Sequence, residues 1–261
     1  MKLWRRLTGK GRFGPVYEPA NGWIKLCQGL LYPLNKLLGR PRFAGQEHLN
    51  VAGPLLIVGN HISHLDPVYS TVFIRKAGRV PHVLAKASLW KIPVVGRVLR
   101  GTEQIPVERG GGQGQQALEA ATTALSEGKA VLIYPDGTVT KDPDLWPMRP
   151  RPGVAALALS GDWTVVPMVH WGTHEVYRSY TGKGRFKPWP RKDIHVVAGP
   201  PIDLSAHRTG KAPDARAIRD VSYLLQGAVR DLLGQVRGEQ PPATFYDPKK
   251  AERAAGRAGT V

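Results

Sequence analysis

An apolar run that stops abruptly at a cluster of reactive side chains constrains this chain more than any other feature: Leu55 to Val58, followed by Gly59-Asn60-His61-Ile62-Ser63-His64-Leu65-Asp66-Pro67. Uncharged aliphatic residues bounded by Gly53-Pro54 and by Gly59-Asn60 read as a short strand covered on both faces. Asp66-Pro67 then opens a helix. Asp66 takes the cap position and accepts free N–H groups of the first turn, and Pro67 follows where its missing N–H costs nothing. His61 falls in the strand-to-helix turn. An imidazole that takes a proton from a hydroxyl needs one bare ring nitrogen, and a carboxylate on the other nitrogen fixes the tautomer and steadies the imidazolium. His61 and Asp66 have the spacing for such a pair. From these residues alone, a plain cap beside a plain turn residue explains them equally well.

The chain has 261 residues, 42% of them hydrophobic, which suits one large core with appendages. Lys and Arg number 37 against 20 Asp and Glu, a net charge of +17 that calls for an anionic partner: a phosphate-bearing substrate, an anionic membrane or a nucleic acid. The single Cys27 excludes an internal disulfide and a four-cysteine zinc site. The opening Met-Lys-Leu-Trp-Arg-Arg-Leu runs into Gly, Lys and Arg, so it is not a secretory signal, and no run of about 20 apolar residues is present to span a bilayer.

Buried-strand patterns recur at Leu55–Val58, Ala130–Tyr134 and Thr164–Val169, with further strands at His82–Lys86, Thr102–Val107 and Ile194–Ala198. Helical spacing marks Trp23–Leu38, with a kink at Pro33, then Pro67–Lys76, Gln115–Ser126, Gly153–Ser160 and Ala215–Leu233. This alternation predicts an α/β fold with a layered mixed sheet flanked by helices, and with reactive groups in loops at strand ends. Residues 1–40 form a basic N-terminal segment. Its Trp23–Leu38 helix suits a membrane interface and suits a core equally. Trp90 to Leu99, mixing basic and apolar residues, fits an interface or a tunnel mouth. Residues 41–238 form the main domain, and 239–261 a basic, Pro-containing tail that reads as poorly packed.

Four blocks follow in order: Asn60-His61-Ile62-Ser63-His64-Leu65-Asp66-Pro67; Gly101 to Arg109; Tyr134-Pro135-Asp136-Gly137-Thr138; and Val165-Val166-Pro167. Together they resemble the glycerolipid acyltransferase family, in particular its 1-acylglycerol-3-phosphate acyltransferases, whose pattern is His-x4-Asp, a Gly-to-Arg block, Phe-Pro-Glu-Gly-Thr and a Val-Pro dipeptide. The resemblance covers about residues 55–170, and Gly199 to Leu204 extends it. It implies a glycerol-3-phosphate-acyltransferase-like fold in which His61 removes the proton of an acceptor hydroxyl and Asp66 orients His61. The hydroxyl then attacks acyl-CoA or an acyl-carrier protein thioester without a covalent acyl-enzyme. The resemblance assigns Arg109, Gly137 and Thr138 to the acceptor phosphate, a task that suits a guanidinium because it forms two parallel hydrogen bonds. Asp136 stands where the family has Glu, one methylene shorter, and is kept as a substrate-binding residue. Arg149 and Arg151 precede a small-residue helix whose N-terminus suits phosphate. Asn60, Ser63, Pro135 and Pro167 are supporting residues, with Ser63 a hydrogen-bonding turn residue rather than a nucleophile.

The expectation is an O-acyltransferase acting on a lysophospholipid, foremost 1-acylglycerol 3-phosphate, with glycerol 3-phosphate or a glycolipid as alternative acceptors. It needs no cofactor or metal and sits peripherally or monotopically on an anionic membrane, at the cytoplasmic face. Its partners are lysophospholipid, acyl thioester and acyl-carrier protein, with no nucleic acid. Three rivals carry less weight. His61, His64, Asp66, His170 and His174 would make a zinc hydrolase, though without the common ligand spacing. Gly112-x-Gly114-x-x-Ala117 with Asp136 imitates a dinucleotide fingerprint. The basic and aromatic residues of 178–192 would suit a nucleic-acid binder.

Overall fold

The computed structural model describes residues 16–108, 114–179 and 185–258. The elements are α1 (Gly22–Leu38), β1 (Gly39–Ala44), β2 (Leu55–Gly59), α2 (Asp66–Lys76), β3 (Pro81–Lys86), α3 (Pro93–Gly101), β4 (Ile105–Val107), α4 (Gly114–Ser126) and β5 (Ala130–Ile133). After these come α5 (Gly153–Leu159), β6 (Thr164–Trp171), α6 (Thr173–Val176), β7 (Tyr177–Arg178), β8 (Arg185–Phe186), β9 (Lys192–Ala198), α7 (Ala215–Arg237) and α8 (Pro248–Ala258).

Seven strands form one mixed sheet in the order β1-β9-β6-β2-β5-β3-β4, and β7 and β8 pair separately as a hairpin. The block β6-β2-β5-β3-β4 is parallel, while β9 runs antiparallel to β6 and carries β1 parallel to itself. The carboxyl ends of β2, β5 and β6 therefore lie side by side at the middle of the sheet.

Alternate residues of the central strands enter two cores. Leu56, Val58, Val131 and Val165 meet α4, α5 and α7 on one face. Leu55, Ile57, Leu132 and Val166 meet α2 on the other. Burial on both faces is why these strands read as unbroken apolar runs rather than as alternation.

Some boundaries differ from the sequence pattern. β1 is not among the strands that the sequence pattern marks, because Gly39-Arg40-Pro41-Arg42 carries no apolar signal; it is an edge strand, where charge and proline are tolerated. β4 begins only at Ile105, since Glu103 turns the chain with φ 55°. As far as residue 258 the tail is more ordered than its composition implies. Tyr246 bridges Met148, the Arg149 N–H donates to the Tyr246 carbonyl at 2.9 Å, and α8 follows. In α1 only Asn35 and Leu38 are buried, while Leu26, Leu30 and Leu37 are exposed, so this is not a core helix.

Candidate active site

Asp66 is the first residue of α2, not its cap; Leu65 holds the cap position without a side-chain bond. The carboxylate turns back over the preceding turn instead. Its Oδ2 lies 2.9 Å from His61 Nδ1 and accepts the N–H groups of Ile62 at 2.6 Å and Ser63 at 2.8 Å. Its Oδ1 accepts the hydroxyl of Thr173, from the far side of β6 in sequence. Asp66 is wholly buried. Burial alone would raise its carboxyl, but the His61 hydrogen bond, the neighbouring His170 and His61 rings and the Thr173 hydroxyl outweigh it and hold Asp66 below the ordinary carboxylate range. An ionised Asp66 accepting from Nδ1–H fixes the His61 tautomer and leaves Nε2 as the base, and His61 lines a cleft of about 1260 Å³.

Surrounding bonds lock this turn. Asn60 Oδ1 accepts the His170 N–H at 2.7 Å and Asn60 Nδ2 donates to the His170 carbonyl at 3.0 Å, extending the β2–β6 pairing by a side chain. Ser63 Oγ donates to the Tyr177 carbonyl at 2.7 Å and accepts the Leu65 N–H at 3.2 Å, so its hydroxyl is committed to holding the turn. The Tyr134 ring stacks on His61 with centroids 4.4 Å apart and planes 13° from parallel.

Beneath lies a second layer. Ser70 Oγ donates to the Asp66 carbonyl at 2.8 Å, so its oxygen is the acceptor for His170 Nε2 at 2.7 Å and for the Tyr134 hydroxyl at 3.2 Å. This assigns the Nε2–H tautomer to His170 and leaves its buried Nδ1 without a partner. Burial keeps His170 below the usual histidine range, and hence neutral, and raises the Tyr134 phenol so that it keeps its proton.

The block after β5 divides. Gly137, Thr138, Lys141 and Arg151 line the cleft with Pro135. Gly137 has φ 68°, and a Cβ there would stand 2.7 Å from Arg151 Nε, so glycine both permits the turn and makes room for the guanidinium. Asp136 turns away into the body of the protein, where Gln226 Nε2 donates to its Oδ1 and Oδ2 has no partner. Burial pushes its carboxyl up to about 8. Arg149 is exposed and paired with Asp247 at 3.0 Å. The structure thus keeps Asp136 and Arg149 off the cleft, because Gln226 of α7 and Asp247 before α8 claim them. Pro167 sits in β6 opposite Val58, its carbonyl taken by the Gly199 N–H at 2.9 Å. Arg109 lies outside the described residues; Glu108, next to it, lines the cleft.

Thr173, Tyr134, Ser70 and Lys141 are the additions. Thr173 has no motif of its own, and the signal that points to it is its place just after the buried strand β6. Lys141 lines the cleft and pairs with Glu252 of α8 at 3.0 Å. Apolar lining comes from Leu31, Val72, Val83, Leu84, Val98 and Leu118. Among the described residues, no group of three or more His, Cys, Asp or Glu is placed to hold a metal ion. Gly112 of the glycine pattern lies outside the described residues, and Asp136 faces Gln226.

Known proteins are similar to this chain in sequence and in fold. The family model described as Acyltransferase matches residues 40–171, which contain both turns. The N-acylphosphatidylethanolamine synthase of Arabidopsis thaliana is 32% identical over 205 residues, covering 74% of this chain and 72% of its own. A 1-acyl-sn-glycerol-3-phosphate acyltransferase of Limnanthes douglasii is 27% identical over 183 residues, covering 69% of this chain and 61% of its own. Among solved structures, the 1-acyl-sn-glycerophosphate acyltransferase PlsC of Thermotoga maritima superposes with a TM-score of 0.64 at 19% identity, over 84% of this chain and 81% of that one.

Proposed function

The chain belongs to the acyltransferase family, and from that premise we propose that it moves a fatty acyl group from acyl-CoA or an acyl-carrier protein to the hydroxyl of a lysophospholipid, foremost 1-acylglycerol 3-phosphate. The observation that carries this reading is the His61–Asp66 pair opening onto a cleft that is both apolar and cationic. His61 Nε2 takes the proton of the acceptor hydroxyl as its oxygen attacks the thioester carbonyl. Asp66 steadies the imidazolium, which returns the proton to the departing thiolate. Arg151 and Lys141 supply the charge for the acceptor phosphate, and the aliphatic lining takes the acyl chain. Ser63, already committed to Tyr177, is not acylated.

The surface supports membrane docking. Leu26, Leu30 and Leu37 of α1 are exposed, as are Ile92 and Val94 at α3, while Ile24 and Leu31 of α1 and Val98 of α3 line the cleft. The helices touch where Asn21 Nδ2 donates to the Gly101 carbonyl at 3.0 Å. Among the described residues no helix is long and apolar enough to cross a membrane. A peripheral contact with an anionic surface, at the cytoplasmic face, brings lipid to the cleft without a span.

A second acceptor follows from the relative named N-acylphosphatidylethanolamine synthase: a phospholipid amine, attacking through the same base. Purified protein given acyl-CoA or acyl-carrier protein, with lysophosphatidate, glycerol 3-phosphate and phosphatidylethanolamine as rival acceptors, separates them by product mass. Phosphatidate as the main product supports the first reading, N-acylated product the second, and acylated glycerol 3-phosphate contradicts both.

A further inference from the structure

Residues 178–192 mix basic and aromatic side chains, and of the described ones neither Phe186 nor Trp189 lines the cleft. Trp189 is 78% exposed and Phe186 54%, and Trp189 is the most exposed large hydrophobic side chain among the described residues. Arg178 and Lys187 beside them are exposed too. Aromatic side chains this exposed leave much of their apolar surface uncovered in the folded monomer, so their surroundings must say what they meet.

Two sets of bonds locate this segment. On one side it is tied to the catalytic turn: Ser63 Oγ donates to the Tyr177 carbonyl, and the His64 N–H donates to Ser179 Oγ at 3.1 Å. The Lys187 N–H, donating to the Val176 carbonyl at 2.7 Å, holds the returning strand against the same support. On the other side Arg191 Nη2 donates to the Gly39 carbonyl at 2.8 Å, directly after α1. Leu37, 70% exposed, stands two residues before that glycine. The aromatic segment therefore continues the exposed leucine face of α1 and borders the turn that carries His61.

We propose that Phe186 and Trp189, with Arg178 and Lys187, form a second contact with an anionic lipid bilayer, next to the catalytic turn. Aromatic rings flanked by cations suit the headgroup region, where the ring meets acyl chains and the charge meets phosphate. The proposal rests on the membrane-docking reading of α1 and extends it from a helix at the cleft wall to the base itself. A nucleic acid would use the same cations and stack on the same rings, but it gains nothing from the adjoining leucines. A second copy of a chain with net charge +17 would be repelled.

The test uses the full chain and vesicles of phosphatidylcholine with phosphatidylglycerol. Phe186→Ala/Trp189→Ala should weaken vesicle partitioning by about tenfold and reduce quenching of tryptophan emission by lipids brominated on their acyl chains. The melting midpoint should not move, since both side chains are exposed. Partitioning equal to that of the unaltered chain overturns this proposal and leaves the α1 reading standing. Leu26→Ser/Leu30→Ser is the separate probe of α1, and failure of the unaltered chain to bind any vesicle overturns both. Loss of binding to a single-stranded oligonucleotide, with vesicle binding intact, would assign the segment to nucleic acid instead.

Discussion

Two turns, each at the carboxyl end of a central strand, carry buried aspartates that end in opposite states. Asp66, after β2, receives the His61 ring, two backbone N–H groups and the Thr173 hydroxyl. Asp136, after β5, receives Gln226 and a Met148 backbone bond and keeps one oxygen unpartnered. Both lie out of water, so burial cannot be what separates them. The number and kind of donors separates them: enough for a charge at Asp66, too few at Asp136. In the proposed reaction the first turn orients a base, and the second ties its loop to α7 while Gly137 and Thr138 line the cleft.

The largest effect that tests this contrast is on chemistry. His61→Ala should lower kcat by about 10² to 10⁴ while the protein stays folded, because Asp66 keeps its bonds to Ile62, Ser63 and Thr173. Near-normal turnover, measured on detergent-dispersed acceptor, would break the comparison on the Asp66 side.

On the Asp136 side the effect is on stability. Burial pushes its carboxyl from the ordinary 3.8 up to about 8, so the folded state binds the extra proton between those values and stability falls as pH rises through that window. Asp136→Asn cannot ionise. It should match the unaltered chain near pH 4 and exceed it above pH 8, by on the order of a few kcal/mol. Denaturant midpoints at several pH values check this, and parallel curves would show that Asp136 is charged in the folded protein.

Smaller is the effect of one donor. Thr173→Val leaves Asp66 Oδ1 unpaired and should cost about 1–3 kcal/mol of stability, with the acid limb of kcat/KM displaced to higher pH because the carboxyl is harder to ionise. Thr173→Ser should restore both. A fall in rate with an unmoved limb would reduce Thr173 to packing.

Much of this was legible from local pattern. Runs such as Leu55–Val58 and Ala130–Ile133 are apolar without a break because helices cover both sheet faces, and the His61–Asp66 spacing follows from one tight turn. What escaped depends on partners distant in the chain. Thr173 lies 107 residues from Asp66, and Gln226 lies 90 from Asp136. No periodicity within either segment encodes such meetings. The capping reading of Asp66 failed for the same reason: sequence shows a carboxylate before a proline, and only the fold shows which N–H groups it faces. In the tail, polar composition hid the Tyr246–Met148 bridge and the Glu252–Lys141 pair, which need the loop after β5 in place.

Side-by-side turnover of Asp66→Asn and Asp136→Asn, at one pH near neutrality and on the same detergent-dispersed acceptor, tests the central claim most directly. An amide at 66 presents an N–H group to donors and releases the His61 tautomer, so kcat should fall by about 10² or more. An amide at 136 replaces a carboxyl that is already neutral, so kcat should stay within a few fold of the unaltered chain. Equal losses in the two variants, or a larger loss at 136, would contradict the assignment of charge and chemistry to Asp66 alone.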